Sequence, residues 1–229
     1  MCGRYALHAH PDVVALQFGL RSAPPLAARY NICPGAEVLV VQVDRHGRSL
    51  PRQCRWGLIP PWAKNPSIGH KLANARAESL SERPAFREAF LGGRCLVPAS
   101  GYYEWQALGG SKQPWYFRPL DAPLFGLAGI TALWHGPQGA MPSVALITTA
   151  ANALSGKIHD RMPVIIAPED YATWLDRKAD AKALSRLLAP YPARQMTAHA
   201  VSPRVNAPAN DDPALIEPSA EAAAQRDLL

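Results

Sequence analysis

The chain has 229 residues and a formal net charge of +6 at pH 7, from 24 Lys or Arg against 18 Asp or Glu. This length suits one sizeable domain or two small ones. No stretch has the ~18 consecutive apolar residues that a membrane-spanning helix needs. The N-terminus lacks the basic region and apolar run of a signal peptide, so we expect a cytoplasmic protein without a membrane partner. The positive charge is compatible with a polyanionic partner.

The cysteines exclude two further classes of protein. Cys2, Cys33, Cys54 and Cys95 are far apart and form no CxxC pair. Such spacing is not typical of a zinc site, and a cytosolic chain of this kind keeps its thiols reduced. We therefore predict no structural metal and no disulfide framework.

Short strands dominate the first half of the chain. In order, the pattern predicts a strand at 3–7, a helix at 11–20, hairpin strands at 37–43 and 51–58, an extended piece that turns helical at 72–78, and a helix at 84–91. Proline opens the helices at 11 and 84, and Gly92-Gly93 ends the second. The loop between Trp56 and Trp62 is too rich in proline to be regular structure.

The second half continues the series of strands. Strands are predicted at 94–98, 101–105, 115–118, 124–133, 143–149, 164–167 and 197–201, a helical turn at 152–158, and amphipathic helices at 168–176 and 180–188. No repeat or composition break marks a linker, and the polar, Ala-rich tail from 219 to 229 is expected to be flexible. The chain is predicted to form one β-rich α+β domain over residues 1–218.

The first four residues, Met1-Cys2-Gly3-Arg4, point to a chemistry. Met1 precedes a small residue, so its removal would leave Cys2 with a free α-amine and a thiol on adjacent carbons. These groups titrate near ~8 and ~8.5, so neutral amine and thiolate would coexist near neutral pH. Such a pair condenses with an aldehyde to an imine and closes a thiazolidine ring, and intramolecular closure can be worth ~7–11 kcal/mol of barrier. Alternatively, Cys2 is only a small residue that permits processing.

Other residues would supply the helpers that aldehyde capture needs, and each has a second interpretation. Glu104 lies among aromatic residues, where it either accepts a proton from the amine or forms a buried structural ion pair. His159 precedes a strand and either shuttles a proton to open the sugar or is structural. Asn74 is a site residue or a cap, and Trp62 stacks on a base or packs in the core.

Several motifs in order along the chain resemble the SRAP family, the SOS-response-associated peptidases, which include abasic-site shields of replicating DNA. They are Met1-Cys2-Gly3-Arg4; Tyr30-Asn31 with Pro34-Gly35; Trp56-Gly57-Leu58 with Trp62; Asn74-Ala75-Arg76-Ala77-Glu78; Arg94-Cys95-Leu96-Val97-Pro98 with Gly101-Tyr102-Tyr103-Glu104-Trp105; and His159-Asp160-Arg161-Met162-Pro163. The closing Val201-Ser202 and Leu215-Ile216-Glu217-Pro218 also resemble that family.

The resemblance implies a single α+β domain with a barrel-like antiparallel core flanked by short helices. It implies covalent capture of abasic sites in single-stranded DNA through a thiazolidine at Cys2, within the response to DNA damage. Asn74 would hold the backbone of Cys2, Glu104 would orient or deprotonate the amine, and His159 would assist sugar opening. Imine chemistry at the sugar would also give the protein some lyase activity.

The resemblance also implies a DNA-binding set. Arg4, Arg76 and Arg161 would grip phosphates, Trp62 and Pro34 would pack on bases or wedge beside the lesion, and Thr148 would lie near the sugar. The expected partner is single-stranded DNA with abasic sites, near the nucleoid during damage. The protein would act as a monomer without a cofactor, a metal or an obligate protein partner.

Two other functions fit the same residues. In the first, Cys2 with Glu104 and His159 forms an N-terminal nucleophile peptidase, which at least removes Met1. In the second, the basic and aromatic residues read single strands or modified bases without a covalent bond. Covalent capture requires the removal of Met1, whereas a non-covalent reader of DNA does not require it. A peptidase must turn over a peptide substrate.

Overall fold

The fold is seen in a computed structural model that describes residues 2–22, 26–137 and 139–219. Its strands are β1 (Tyr5–Leu7), β2 (Arg29–Ile32), β3 (Glu37–Val43), β4 (Ser49–Trp56), β5 (Asn74–Arg76), β6 (Arg94–Ala99), β7 (Gly101–Leu108), β8 (Ser111–Pro119), β9 (Phe125–Gly136), β10 (Gly139–Ala150), β11 (Arg161–Pro163), β12 (Ile165–Ile166) and β13 (Met196–Ala200). Its α-helices are α1 (Pro11–Gln17), α2 (Arg87–Gly92), α3 (Tyr171–Leu175) and α4 (Ala181–Leu187). Met1 and all of the predicted flexible tail except Ser219 lie outside the described residues.

A closed barrel of five strands forms the centre of the fold. The order is β10-β4-β3-β6-β9, and β9 pairs back to β10 to close the ring. Buried aliphatic residues from these strands fill the core, among them Val40, Leu96, Leu127 and Val144. A Cβ on Gly129 would lie 2.7 Å from Cys95 Sγ, so only glycine allows β9 and β6 to pack this closely. The predicted α+β class with a barrel-like core is confirmed.

The barrel is not wholly antiparallel, which corrects one detail of the prediction. β10 runs parallel to β4, with Ser143 opposite Arg55 and Val144 opposite Trp56, and it is also parallel to β5. Strand directions can alternate all the way round a closed ring only when the number of strands is even. With five strands, at least one neighbouring pair must be parallel.

A second sheet, of order β13-β8-β7-β1-β2, anchors the N-terminal segment. β1 lies between β2 and β7, with Tyr5 opposite both Ile32 and Tyr102. The backbone N–H of Tyr103 donates to Arg4 O at 3.0 Å, which extends this pairing towards the chain start. Because β1 begins only three residues after Cys2, the sheet fixes where Cys2 lies.

The helices are shorter than the sequence pattern predicts. α1 ends at Gln17, because Gly19 adopts a positive φ of 62° that no helix continues. The helix predicted at 84–91 begins at Arg87, and the helix predicted at 168–176 starts as a 3-10 turn, Pro168–Asp170, before α3. In the described part of the chain, no helix has the length and apolar character to cross a bilayer.

Candidate functional site

Cys2 is fully buried, and its backbone is held by a side chain distant in sequence. Asn74 Nδ2 donates to Cys2 O at 2.8 Å, and Cys2 Sγ donates to Arg4 O at 3.9 Å. Burial raises the pKa of the Cys2 thiol well above its usual range, and the Glu104 carboxylate raises it further. The expectation of a usable thiolate fraction near neutral pH is therefore wrong for this structure, because a desolvated thiol keeps its proton.

Glu104 lies on β7 opposite Trp115 and is only 2% exposed. Burial raises the pKa of its carboxyl to about 7, because a charged carboxylate loses its hydration in the protein interior. A carboxyl group with this pKa exchanges protons near neutral pH, as general acids and bases do. The buried Glu104 carboxylate thus acts on the titration of the buried Cys2 thiol.

Three strands bring the remaining candidates to one edge of the barrel. β10 pairs with β5 on one side and with β11 on the other, so Thr148 is opposite Arg76 in one register and Pro163 in the other. Asn74 begins β5, and Arg161 begins β11. Residues 74–76, 148 and 159–161, which are far apart in the sequence, therefore meet at this edge.

His159 is held by the segment that leads into β11. Its Nδ1 lies 3.0 Å from both the backbone N of Arg161 and Oδ1 of Asp160. Burial lowers the pKa of His159, so the imidazole is neutral at pH 7. A neutral Nδ1 that accepts from the Arg161 N–H leaves the ring proton on Nε2, and the Asp160 contact is then not an ion pair.

Arg161 forms a two-point ion pair with Glu78, a residue to which the sequence reasoning gave no role. Its Nη1 and Nη2 donate to the Glu78 carboxylate at 2.6 and 3.0 Å, and Nη2 also donates to Thr148 O at 2.6 Å. Thr148 is fully buried, so its side chain meets Arg161 and Ala75 rather than solvent. Glu78 is the last residue of the Asn74–Glu78 motif, and its place in that motif is the signal that could have indicated a role.

Arg4 is engaged inside the protein. Its Nη1 donates to Asn31 Oδ1 and to Val205 O, both at 2.6 Å, and its guanidinium lies 5.8 Å from the centre of the Trp105 ring. Asn31 Nδ2 also donates to Val205 O, at 3.2 Å. These contacts fasten the segment after Cys2 to the C-terminal part of the fold, which the sequence alone did not indicate.

The other candidate DNA contacts are on the surface. Arg76 and Pro34 are exposed, and Trp62 is 58% exposed, so the core-packing interpretation of Trp62 is wrong. In residues 2–22, 26–137 and 139–219, no group of three His, Cys, Asp or Glu side chains is arranged to hold a metal ion. All four cysteines are free thiols.

Comparisons with known proteins agree with this fold. The family described as SOS response associated peptidase (SRAP) matches residues 1–208. The abasic site processing protein YoqW of Bacillus subtilis is 41% identical over 223 residues, which cover 95% of this chain and 99% of the relative. The abasic site processing protein YedK of Escherichia coli is 31% identical over 229 residues, covering 95% and 100%. A crystal structure of a protein from Bacteroides thetaiotaomicron, 27% identical, superposes with a TM-score of 0.87 over 95% of this chain and 100% of that one. The chain therefore belongs to the SRAP family.

Proposed function

We propose that this chain processes abasic sites in single-stranded DNA by covalent capture, with Cys2 as the N-terminal nucleophile once Met1 is removed. The observation that carries the proposal is the buried cluster around Cys2, in which Asn74 holds its carbonyl and the Glu104 carboxylate acts on its thiol. Membership of the SRAP family supports the substrate, because relatives that match nearly the whole chain are named abasic site processing proteins.

The first step is the formation of a neutral amine. Removal of Met1 leaves an α-ammonium on Cys2, whose ordinary pKa is ~8. Glu104, with a pKa of about 7, accepts a proton from it at little free-energy cost. The amine then attacks the C1′ aldehyde of the opened deoxyribose. The protonated Glu104 returns its proton to the departing hydroxyl, and water leaves to give a protonated imine, an iminium, with Glu104 again a carboxylate.

The second step closes the ring. The sulfur of Cys2 adds to the iminium carbon while the thiol proton passes to the Glu104 carboxylate, so that no oxidant or reductant is required. Because the thiol is protonated in its buried environment, this step needs the base that Glu104 supplies. The product is a thiazolidine, and it differs from protein plus DNA by the loss of one water.

Ring closure explains why the sulfur is needed as well as the amine. An imine at C1′ acidifies the C2′ protons and promotes elimination of the 3′ phosphate, which breaks the strand. The thiazolidine has no C=N bond, so capture by sulfur suppresses that cleavage. The lyase reaction is in this view the outcome when closure fails.

The remaining residues have roles in binding and proton transfer. His159, which is neutral, assists the opening of the sugar hemiacetal by carrying the proton of the C1′ hydroxyl to the ring oxygen. Arg76 and Arg161 bind the flanking phosphates as charge-assisted donors. Thr148 acts through its contacts with Arg161, and Arg4 acts by fixing the segment that carries Cys2.

Base contacts complete the proposed site. Trp62 and Pro34 are exposed, which leaves their faces available to bases beside the lesion. All of the steps use groups of a single chain, so we propose that the protein acts as a monomer. They require no metal or organic cofactor.

The test uses protein whose N-terminus at Cys2 has been verified by intact mass. It is incubated with a single-stranded oligonucleotide that carries one abasic site, and the products are separated on a denaturing gel. We expect a stable adduct with the mass of protein plus DNA less one water. Cys2→Ala retains the α-amine, so we expect a reducible imine and strand cleavage but no stable adduct.

Two controls establish whether the adduct depends on the 1,2-aminothiol of Cys2. Protein that retains Met1 lacks a 1,2-aminothiol and should give no thiazolidine. Cys33→Ala removes a different thiol, which is partly exposed, and should leave the adduct unchanged. An equally stable adduct from Cys2→Ala would refute capture by sulfur.

A further inference from the structure

A second basic region lies at the turn between β3 and β4. A cavity of about 380 Å³ is lined there by Arg45, Arg48, Arg52 and Arg177, with Asp44 as the acidic residue among them. Asp44 pairs with Arg48, its Oδ2 lying 2.6 Å from Nη2. Within the described residues, the other three arginines have no carboxylate at ion-pair distance. All three are exposed, so the cavity holds an uncompensated positive charge.

This cavity continues into two others along the outside of the barrel. Gln42 and Arg52 also line a cavity of about 330 Å³, whose other lining residues include Trp62 and the acidic Glu88. Trp62 in turn lines a third cavity, of about 490 Å³, together with Lys64 and Lys71. We call this path from Lys71 past Trp62 and Arg52 to Arg45 and Arg177 the basic groove.

One end of the basic groove lies beside the Cys2 cluster. Lys71 ends the 3-10 turn Pro66–Lys71, and Asn74, which bonds to Cys2, follows three residues later. Three residues of chain span at most about 11 Å between Cα atoms. The end of the groove at Lys71 therefore lies within about 11 Å, between Cα atoms, of the residue that holds Cys2.

We propose that the basic groove is a second DNA-binding surface, which binds the phosphate backbone of the single strand that continues from the lesion. Cationic side chains that follow a path, with an exposed aromatic ring along it, are what a flexible strand of phosphates and unpaired bases requires. A free anion or an acidic peptide would use the arginines but would have no need of the indole. The inference rests on the proposed function, which supplies a strand fixed at Cys2.

The groove has a consequence for affinity. Each phosphate that a lysine or arginine neutralises releases counterions, so binding weakens as salt concentration rises. Contacts several nucleotides from Cys2 hold the strand before any covalent bond forms, and they do not take part in the chemistry. Variants of the far end should therefore change binding to long strands and leave the reaction at saturating DNA unchanged.

The test compares Arg45→Ala/Arg177→Ala with the matched control Lys112→Ala/Arg194→Ala, which removes two exposed charges from the β7–β8 and 193–195 region. Binding is measured with undamaged single strands of about 5 and about 20 nucleotides, at several salt concentrations. For the long strand, we expect the dissociation constant of the first variant to rise about tenfold near 0.1 M salt. Its salt slope should fall by about 1.4, or ~0.7 for each lost contact.

The short strand and the control variant decide the outcome. The proposal predicts no change for the short strand and no change for Lys112→Ala/Arg194→Ala on either strand. It is overturned if the first variant binds the long strand like wild type, or if the short strand weakens equally. Adduct yield from saturating abasic DNA is a separate readout. If wild type gives no adduct but long-strand binding depends on Arg45 and Arg177, capture is refuted and the groove is supported.

Discussion

The Cys2 cluster and the basic groove differ in how the fold treats their polar groups. Cys2 and Glu104 are at most 2% exposed, and both have pKa values raised by burial. In the groove, Trp62 is 58% exposed, and the arginines that line its far end face solvent. Burial changes the chemistry of a group, whereas exposure leaves a group accessible to a large and flexible ligand.

The two regions should therefore respond to different perturbations. The cluster depends on desolvation and hydrogen bonds, so its behaviour should vary with pH and little with salt. The groove depends on charges in water, which salt screens over ~8–10 Å. Arg161 lies between these extremes, because its side chain is mostly buried but its partner Glu78 is 55% exposed.

The largest effect is expected for Glu104→Gln, which retains the shape of the side chain but removes the base. We expect the rate of adduct formation to fall about 100-fold at pH 7.5, the lower range for loss of a general base. In wild type the rate should rise with pH through about 7, where Glu104 loses its proton. In the variant this rise should disappear, which quenched time courses between about pH 5.5 and 8.5 would reveal.

The same variant gives a prediction for stability. The pKa of Glu104 is about 7 in the fold against 4.5 as its ordinary value, so the folded chain binds a proton that the unfolded chain has released. Stability from this group is therefore complete below about pH 4.5 and is lost as the pH rises through about 7. As the pH rises through this window, the melting temperature of Glu104→Gln should therefore increase relative to that of wild type. If the difference between the two melting temperatures stayed constant across the window, it would contradict the assigned pKa of Glu104.

Much of the fold follows from local sequence patterns. The β-branched run at 37–43 predicts a strand with the same bounds as β3, and the turn from Asp44 to Ser49 predicts the hairpin that connects β3 to β4. β9 and β10 are longer than the strands predicted at 124–133 and 143–149. Gly136 ends β9, and Pro142 lies within β10, where it is opposite Leu133.

The site depends on contacts that no local pattern contains. Asn74 and Cys2 are 72 positions apart, and Glu78 and Arg161 are 83 apart. Motif resemblance pointed to Cys2, Asn74 and Glu104, but it did not indicate that Cys2 is fully buried. That burial arises from how β1, β5 and β7 meet, and it reverses the expected state of the thiol.

An effect on binding rather than on reaction rate is expected for Trp62→Ala. Loss of one base stacked on an aromatic ring costs ~1–3 kcal/mol, so the dissociation constant for a single strand should rise about 5- to 150-fold. The melting temperature should not change, because Trp62 is outside the core. Leu16→Ala, at an apolar position that is 85% exposed on α1, is the matched control. If the two variants bound single-stranded DNA equally well, Trp62 would not be a DNA contact.

The smallest effect is expected for Glu78→Gln, which tests the boundary between the two regions. The Glu78 carboxylate occupies the two donors of Arg161 that a phosphate would use, and hydrogen bonds from Arg161 lower its pKa, so it is ionised at neutral pH. Exchanging it for an amide removes a competitor of the phosphate. We expect affinity for single-stranded DNA to rise about two- to fivefold, the scale of an exposed ion pair.

Glu82→Gln serves as the control, because it removes the same charge from an exposed position four residues along the chain, whereas Arg161 forms its ion pair with Glu78. A general electrostatic effect would appear in both variants, whereas competition for Arg161 would appear only in Glu78→Gln. Weaker binding by Glu78→Gln would show instead that the carboxylate orients the guanidinium for phosphate. Arg161 would then belong with the buried cluster, as a group whose geometry is fixed before DNA arrives.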